Sequence, residues 1–332
     1  MNLSPQHASY CAHWTDNRIK RSKRWDNDEG VAATIGTIMS LLVFLTAFGI
    51  FTNQFVPVWM SDNESMHMSQ ALQQFTTVKS SIDIAISNNA NSRIAPTPVF
   101  VPVTLSSSGI PVFAAATAGI LIFTPSGVNT RPSFNVTYAY VAGGIRNQLS
   151  PANDGKSGGD LDLWCPNRYF VEQHLIYENG AVILNQSDGE FILAGPQFLV
   201  KDIGTSGTPN RVLQITQITL LGSNVTIGGT GSKGVTANLK YADTKTYENA
   251  SGSTMTIQIV SKHGMAWSRY FNSTLNGTAG MTFKKGYNIT TTLKSFPDKT
   301  RNYYIVTITI DRIMIVDHTK ATVALTIGEL GL

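Results

Sequence analysis

The sequence has very little cysteine. Cys11 and Cys165 are the only two in 332 residues, and they lie on either side of a long apolar stretch at residues 31–56. If that stretch crosses a membrane, the two thiols cannot pair within one chain, which excludes a fold stapled by internal disulfides. We expect Cys165 to be a buried free thiol beside Trp164, with a disulfide between subunits as the alternative.

Charge is also scarce. Asp, Glu, Lys and Arg make up 14% of the residues, and the net charge is +4, whereas charged residues form about a quarter of an average soluble domain. So dilute a positive charge does not indicate a nucleic-acid partner. Glycine, serine, threonine and asparagine are plentiful instead, and a surface of hydroxyl and amide groups is typical of an exported β-protein.

Recognisable catalytic motifs are missing. There is no Gly-x-Ser-x-Gly elbow, and His174, His263 and His318 are scattered through strand-like regions. The glycine-rich run at residues 228–234 reads Gly-Gly-Thr-Gly-Ser-Lys-Gly, but a phosphate loop needs Gly-Lys-Ser/Thr at the start of a helix. We interpret the run as a β-turn and expect neither an enzyme nor a cofactor.

One pair of residues has the spacing of metal ligands. Glu64 and His67 are three positions apart, which places both on one face of a helix. No third ligand follows at a recognisable spacing. We therefore predict a solvated helix face here and no metal site.

The apolar stretch Val31–Val56 is the dominant feature of the chain. It has no charged residue from Val31 to Phe51, and about 20 helical residues cross the hydrocarbon core of a bilayer. A cleavable secretory signal has a shorter apolar region of about 7–15 residues followed by a small-x-small site. A buried core helix is the other alternative, but residues 41–45 are apolar all round and lie next to the basic run. The stretch therefore predicts a membrane span.

The charges around this span indicate its orientation. Five Lys or Arg residues lie between Arg18 and Arg24, and basic residues beside a span stay in the cytoplasm. Everything after about residue 60 should then lie outside, where Asn-x-Ser/Thr sequences are candidate glycosylation sites. The alternative is that such sequences arise by chance in a chain rich in Asn and Thr. The eight candidates are Asn63, Asn135, Asn185, Asn224, Asn249, Asn272, Asn276 and Asn288.

A second helix is predicted directly after the span. Pro57 lacks an N–H, so we expect the helix to kink or break near residue 57. Beyond it, apolar residues recur at spacings of three and four, which indicates a helix with one buried face. The alternatives are that this helix is a plain stalk or that its apolar face forms a coiled coil. These residues are Met68, Leu72, Phe75, Val78, Ile82 and Ile86.

The remainder of the chain has the pattern of short strands. We predict an Asn179-Gly180 hairpin turn, a short helix at 266–271, and a loop or minor boundary near 147–160. The fold class is α+β: a long N-terminal hydrophobic helix followed by a mainly antiparallel, β-sandwich-like extracellular domain. The predicted strands lie at 99–103, 120–123, 134–140, 174–177, 181–184, 191–193, 212–221, 254–260, 303–310 and 321–327.

The junction between leader and span resembles the archaeal type IV pilin and archaellin superfamily, whose members carry a class III signal peptide. Residues 24–30 read Arg-Trp-Asp-Asn-Asp-Glu-Gly, and residues 31–37 are similar to the family opening Ile-Ser-Pro-Val-Ile-Gly-Thr. Ile35, Gly36 and Thr37 align with it, and Ala33 replaces the proline. Many bacterial relatives have a glutamate at the fifth mature position, where this chain has Ile35, so a salt bridge at that position is not carried over.

The resemblance implies cleavage by a prepilin peptidase between Gly30 and Val31. It divides the chain into a leader (1–30), a membrane or filament-core helix (31–89) and an extracellular β domain (97–332). The implied partners are the cytoplasmic membrane, the assembly machinery, and other copies or related pilins in a cell-surface filament. A single-span adhesin that never polymerises is the alternative. The residues implied in helix assembly are Ile35, Gly36, Leu41, Leu42, Phe44, Leu45, Phe48, Gly49 and Pro57.

Overall fold

The computed structural model describes residues 26–92, 96–128, 132–204, 210–295 and 302–329. The chain divides into two compact units, Met1–Gln54 and Phe55–Leu332. Cys11 and the basic cluster before residue 25 lie outside the described residues. The second unit begins well before the predicted domain start at residue 97, because it includes the helix that follows Pro57.

Helical structure runs from Asp26 to Ser92 in three successive segments. Helix α1 spans Asp26–Ile50, a π-helical turn spans Phe51–Phe55, and helix α2 spans Val56–Ser92. Pro57 is the second residue of α2, where the first turn of a helix tolerates its missing N–H. Hydrogen bonding thus changes from the α to the π pattern just before the predicted kink, and the helix continues beyond it.

Fifteen strands follow within the described residues, with one further α-helix, α3 (Gly264–Leu275), at the place predicted for a short helix. Their bounds are β1 Val99–Thr104, β2 Gly119–Pro125, β3 Ser133–Ala142, β4 Ile145–Leu149, β5 Lys156–Cys165, β6 Gln173–Glu178, β7 Ala181–Gln186, β8 Gly189–Ala194, β9 Phe198–Asp202, β10 Arg211–Leu221, β11 Val225–Gly229, β12 Ser232–Ser261, β13 Thr282–Phe283, β14 Gly286–Ser295 and β15 Asn302–Glu329.

The sheet is mostly antiparallel, which confirms the predicted α+β class. Its main path is β13-β14-β15-β12-β3-β5-β6-β7-β8, and the parallel pairs are β10 with β15 and β13 with β14. Strands β12 and β15 pair along nearly their whole lengths. The sequence predicted them as several short strands because bulges at Leu239/Tyr241 and Glu248/Ser253 interrupt the alternation of apolar and polar residues.

Strand β5 connects two parts of the sheet. Its first residues pair with β3, and its later residues pair with β2 and β6. Gly159 lies at the change of partner with a φ of +102°, and a Cβ there would stand 2.8 Å from the Cβ of Leu220 on β10. Only glycine fits this crossing, where β10 passes close to β5 without pairing to it.

The predicted hairpin and turns are present. Asn179 and Gly180 both have positive φ, 45° and 78°, between β6 and β7. The glycine-rich run at 228–234 covers the end of β11, a bend at residues 230–231 and the start of β12. The loop predicted near 147–160 is only partly correct: a tight turn at Ser150–Gly155 joins β4 to β5, and these two strands occupy the ends of the predicted loop. The compact unit runs through residues 147–160 undivided.

Two apolar clusters form the core of the second unit. The first packs α2 against β1, β2, β5, β6 and one end of the β12–β15 pair, and the second surrounds α3 and the other end of that pair. The predicted apolar face of α2 is confirmed: five of its six residues are buried, and Leu72 is partly buried against the same cluster. Cys165 is a buried free thiol, as predicted, and burial raises its pKa to about 12.

Candidate functional site

Helix α1 presents apolar side chains on every side. From Val31 to Phe48 every residue is exposed, with Ile35 at 53%, Leu42 at 60% and Phe44 at 63%. The helix is long and apolar enough to cross a membrane by length and composition. A core helix would bury one face in its own chain, and α1 does not. The predicted apolar assembly residues Ile35, Leu41, Leu42, Phe44, Leu45 and Phe48 are all on this exposed surface.

The hydroxyl groups of this apolar segment bond to its own backbone. Each donates to a carbonyl three or four residues earlier, so the apolar surface contains no unsatisfied hydroxyl. An apolar environment penalises unsatisfied polar groups by several kcal/mol, and internal bonding removes that cost. The five residues are Thr34, Thr37, Ser40, Thr46 and Thr52.

The predicted processing site lies near the start of α1. The Thr34 hydroxyl donates to the Gly30 carbonyl at 2.6 Å and lies 3.1 Å from the Val31 carbonyl. A Cβ added to Gly30 would meet no atom within 4 Å. The fold of the chain itself therefore does not require glycine at this position.

Gly36 and Gly49 are equally unconstrained. A Cβ on either would meet nothing within 4 Å, although glycine inside a helix costs about 1 kcal/mol relative to alanine. No contact of α1 with the described residues requires glycine at these two positions, so packing within the chain gives no reason for the lost stability. Small residues allow the backbones of two apolar helices to approach closely, which is the use predicted for these positions.

Helix α2 is held on the β unit by a buried carboxylate. The Glu64 side chain is fully buried and accepts hydrogen bonds from the Thr117 hydroxyl (2.6 Å) and from the backbone N–H groups of Arg168 (3.0 Å), Tyr169 (2.8 Å) and Phe170 (2.7 Å). Burial opposes ionisation of Glu64, but these hydrogen bonds outweigh it, so its pKa lies below the ordinary value.

A second polar contact lies one turn further along α2. The Nε2 atom of His67 is 2.9 Å from the Thr104 carbonyl. Gln74 bonds twice to the same threonine, donating to its hydroxyl at 3.1 Å and accepting from its N–H at 2.9 Å. Thr104 ends strand β1, so these contacts fix the helix against the edge of the sheet.

The predicted solvated face at Glu64 and His67 is therefore wrong. Both side chains are buried. The sequence does contain the signal: Glu64 lies four residues after Met60 and four before Met68, which are both buried, so it belongs to the apolar stripe of α2. A carboxylate at such a position needs hydrogen-bond donors from the surrounding fold. The spacing between Glu64 and His67 does not show which groups donate.

The candidate glycosylation sites differ in exposure. Asn224, Asn272, Asn276 and Asn288 are exposed, whereas Asn63, Asn135, Asn185 and Asn249 are half-buried. Asn135 lies on β3 between β5 and β12 with its Oδ1 buried, and the side-chain nitrogen of Asn63 donates to the Ser108 carbonyl at 3.1 Å. Asn272 lies on α3, Asn276 lies just after it, and Asn288 lies on β14.

The three histidines of the β unit lie apart and each has its own partner. His174 is 3.1 Å from the Asp162 carboxylate, His263 is 3.2 Å from that of Glu190, and His318 is 2.6 Å from the amide oxygen of Gln217. Across the described residues, His, Cys, Asp and Glu side chains form no group of three that could hold a metal.

One buried acid lies close to His263. Glu178 accepts hydrogen bonds from the Ser261 hydroxyl at 2.8 Å and from the Trp267 indole at 3.0 Å. Burial raises its pKa to about 7. The Ser261 hydroxyl donates to the Glu178 carboxylate and its oxygen accepts from the backbone N–H of His263 at 3.0 Å, so the cluster lacks the hydrogen bond from a serine hydroxyl to a histidine ring that a nucleophilic triad needs.

Comparisons with known proteins give no match: no family model, no curated protein and no solved structure is significantly similar to this chain.

Proposed function

We propose that this chain is a pilin-like structural subunit of an archaeal cell-surface filament, assembled through helix α1. The observation that carries the proposal is the contrast between two helices joined by one π-helical turn. Helix α2 buries its apolar face in the β unit, while α1 exposes apolar side chains in every direction. A surface of this kind needs lipid or other helices around it.

The energetics explain both environments. An apolar side chain left in water costs roughly 1.5–3 kcal/mol relative to a buried one, so α1 is not stable in water by itself. Exchange of lipid for sister helices is close to neutral in hydrophobic energy. Assembly therefore depends on close packing, which Gly36 and Gly49 permit, and on an assembly machinery that extracts the subunit from the cytoplasmic membrane.

Processing precedes assembly in this proposal. A prepilin peptidase cuts after Gly30 on the cytoplasmic side and leaves Val31 as the new N-terminus. The open space around Gly30 supports this, because the fold does not require glycine there. After the cut, the Thr34 hydroxyl loses the Gly30 carbonyl and retains that of Val31 as an acceptor.

The β unit forms the outer layer of the filament. Glu64, His67 and Gln74 attach α2 to it through buried or half-buried polar contacts, so the helix and the sheet move as one body. Exposed asparagines on the outside carry the glycans. In this proposal the subunit lies at the cell surface, and its N-terminus is in the cytoplasm before assembly.

A second candidate function is a single-span surface protein that binds a ligand and does not polymerise. The observation in its favour is the size of the outer unit, which runs from Phe55 to Leu332 and is large for a major pilin. A minor pilin at the filament tip would share this property.

Electron microscopy of sheared cell-surface material separates the two candidates. Filaments labelled by an antibody against the β unit are expected in the sheared fraction. If all of the protein remains in membranes and is released only by detergent, the filament function fails and the anchored binding protein stands.

A further inference from the structure

A polar pocket of about 510 Å³ lies on the β unit, where the end of α2 meets strands β9, β10, β12 and β15. Its volume is in the range of small-molecule sites. Neither the assembly proposal nor the glycosylation sites involve it. The polar side chains that line it belong to Ser87, Gln197, Gln214, Thr216, Thr244, Asp317 and Thr319.

Two rows of cross-strand neighbours form one wall of this pocket. In the first row, Asp317 on β15 lies between Gln214 on β10 and Thr246 on β12. The Asp317 carboxylate accepts from the Gln214 amide at 3.2 Å and from the Thr246 hydroxyl at 2.8 Å. A carboxylate accepts about four hydrogen bonds, so Asp317 keeps acceptor capacity for a ligand.

The second row consists of hydroxyl groups. Thr319 lies between Thr216 and Thr244, and the hydroxyls of Thr244 and Thr319 are 2.8 Å apart. Thr216 is held by Gln197, to whose amide oxygen it donates at 3.0 Å. These bonds fix the side chains in place, which reduces the entropy lost when a ligand binds.

The charges in the pocket restrict the chemistry of its ligand. Among the described residues that line it, Asp317 is the only ionisable one. An anion such as phosphate would meet a carboxylate and no cationic side chain. A single carboxylate is also too few for a dedicated Ca²⁺ site and lacks the second carboxyl group that glycoside cleavage needs.

The geometry points to a binding site for a neutral saccharide. Hydroxyl groups of a sugar both donate and accept, which matches a wall of one carboxylate, two amides and three threonine hydroxyls. Leu199, 41% exposed and paired with Gln214 across β9 and β10, provides an apolar contact for the C–H face of a sugar ring. The pocket binds and does not cleave, and it does so whether or not the subunit polymerises.

The test uses the full chain, produced without its glycans and held in a detergent that contains no sugar headgroup. Mannose, glucose, galactose and N-acetylglucosamine, free and as short oligosaccharides, are titrated and followed by saturation-transfer NMR. At least one is expected to bind. Asp317→Ala should weaken that binding about tenfold or more, because the ligand loses its charged acceptor, and Gln214→Ala, an exposed change, should weaken it as well.

Asp311→Ala is the matched control. Asp311 lies on the same strand and accepts from the Thr254 hydroxyl at 3.1 Å, but it does not line the pocket. Its variant should bind the sugar as the native chain does. The proposal is overturned if no neutral saccharide binds up to about 10 mM, which corresponds to a binding free energy of about −2.7 kcal/mol, or if the Asp311 and Asp317 variants lose affinity equally.

Discussion

Glu64 on helix α2 accepts a hydrogen bond of 2.6 Å from the hydroxyl of Thr117, and both side chains are buried. Thr117 lies just ahead of β2, far from α2 in the sequence. The carboxylate also receives three consecutive backbone N–H groups from the segment between β5 and β6. One residue of the helix thereby joins two separate segments of the β unit.

Removal of this carboxylate should destabilise the β unit strongly. Glu64→Ala leaves the buried Thr117 hydroxyl and three partly buried backbone N–H groups without their acceptor, which costs about 3 kcal/mol. We expect the melting temperature of the detergent-solubilised chain to fall by roughly 5–10 °C, as followed by circular dichroism. Glu172→Ala is the control, since Glu172 accepts one exposed bond from the Trp164 indole, and equal shifts for the two variants would contradict the anchoring role.

Acid should weaken the fold through His318. Burial lowers its pKa to about 4 from 6.5, so the folded chain holds it neutral while the unfolded chain protonates it below pH 6.5. Its contribution to stability is complete above that pH and is lost as the pH falls towards 4, by up to about 1.4 kcal/mol per pH unit. Glu178, with a pKa raised to about 7, contributes in the opposite direction, because its stabilisation is lost as the pH rises through 7.

The measurement is therefore a difference between two proteins. His318→Gln keeps a donor for the Gln217 amide oxygen and removes the titration. Denaturant titration at each pH gives the free energy of unfolding. Between pH 6.5 and 4.5 this free energy should fall less for the His318→Gln variant than for the native chain. Parallel pH profiles would show that His318 is not the source of the acid sensitivity.

Close helix packing in the filament should depend on Gly49. Gly49→Leu keeps the helix apolar, and a Cβ at this position meets no atom within 4 Å, so membrane insertion should be unchanged. Filament yield in sheared material should drop at least about tenfold, because the larger side chain separates neighbouring helices. Ile50→Leu is the control, because it leaves the side-chain volume unchanged. If the Gly49→Leu variant forms filaments at the native yield, close packing of neighbouring helices at Gly49 is excluded.

Glycan occupancy should follow exposure. We expect Asn224, Asn272, Asn276 and Asn288 to be modified and Asn135 to be bare, because Asn135 lies inside the sheet with a buried amide oxygen and a glycan there would break the β3 pairing. Glycopeptide mass spectrometry of the surface protein measures occupancy at each site. A fully occupied Asn135 would contradict the position of β3.

The sequence predicted the helices and most strands correctly where one periodicity dominates. The run after Pro57 repeats every three or four residues, and the Asn179-Gly180 turn allows few conformations. It missed the strands β4, β5, β9, β11, β13 and β14, and it found only short parts of β12 and β15, since their bulges shift the alternation partway along each strand. Local patterns also cannot show which distant strands pair.

The polar contacts were the least predictable part of the molecule. Glu64 depends on backbone N–H groups more than one hundred residues away, and Asp317 on side chains of β10 and β12. Such partners meet only through the sheet topology. The apolar surface of α1, by contrast, follows directly from composition, because no position between Val31 and Phe51 carries a charge.

The N-terminal residue of the protein in sheared cell-surface material tests the central claim most directly. Mass spectrometry of its N-terminal peptide, from an archaeal host with a prepilin peptidase, should identify a chain that begins at Val31. A chain that retains Met1, or one recovered only from detergent-extracted membranes, would contradict the account of a processed subunit assembled through its apolar helix.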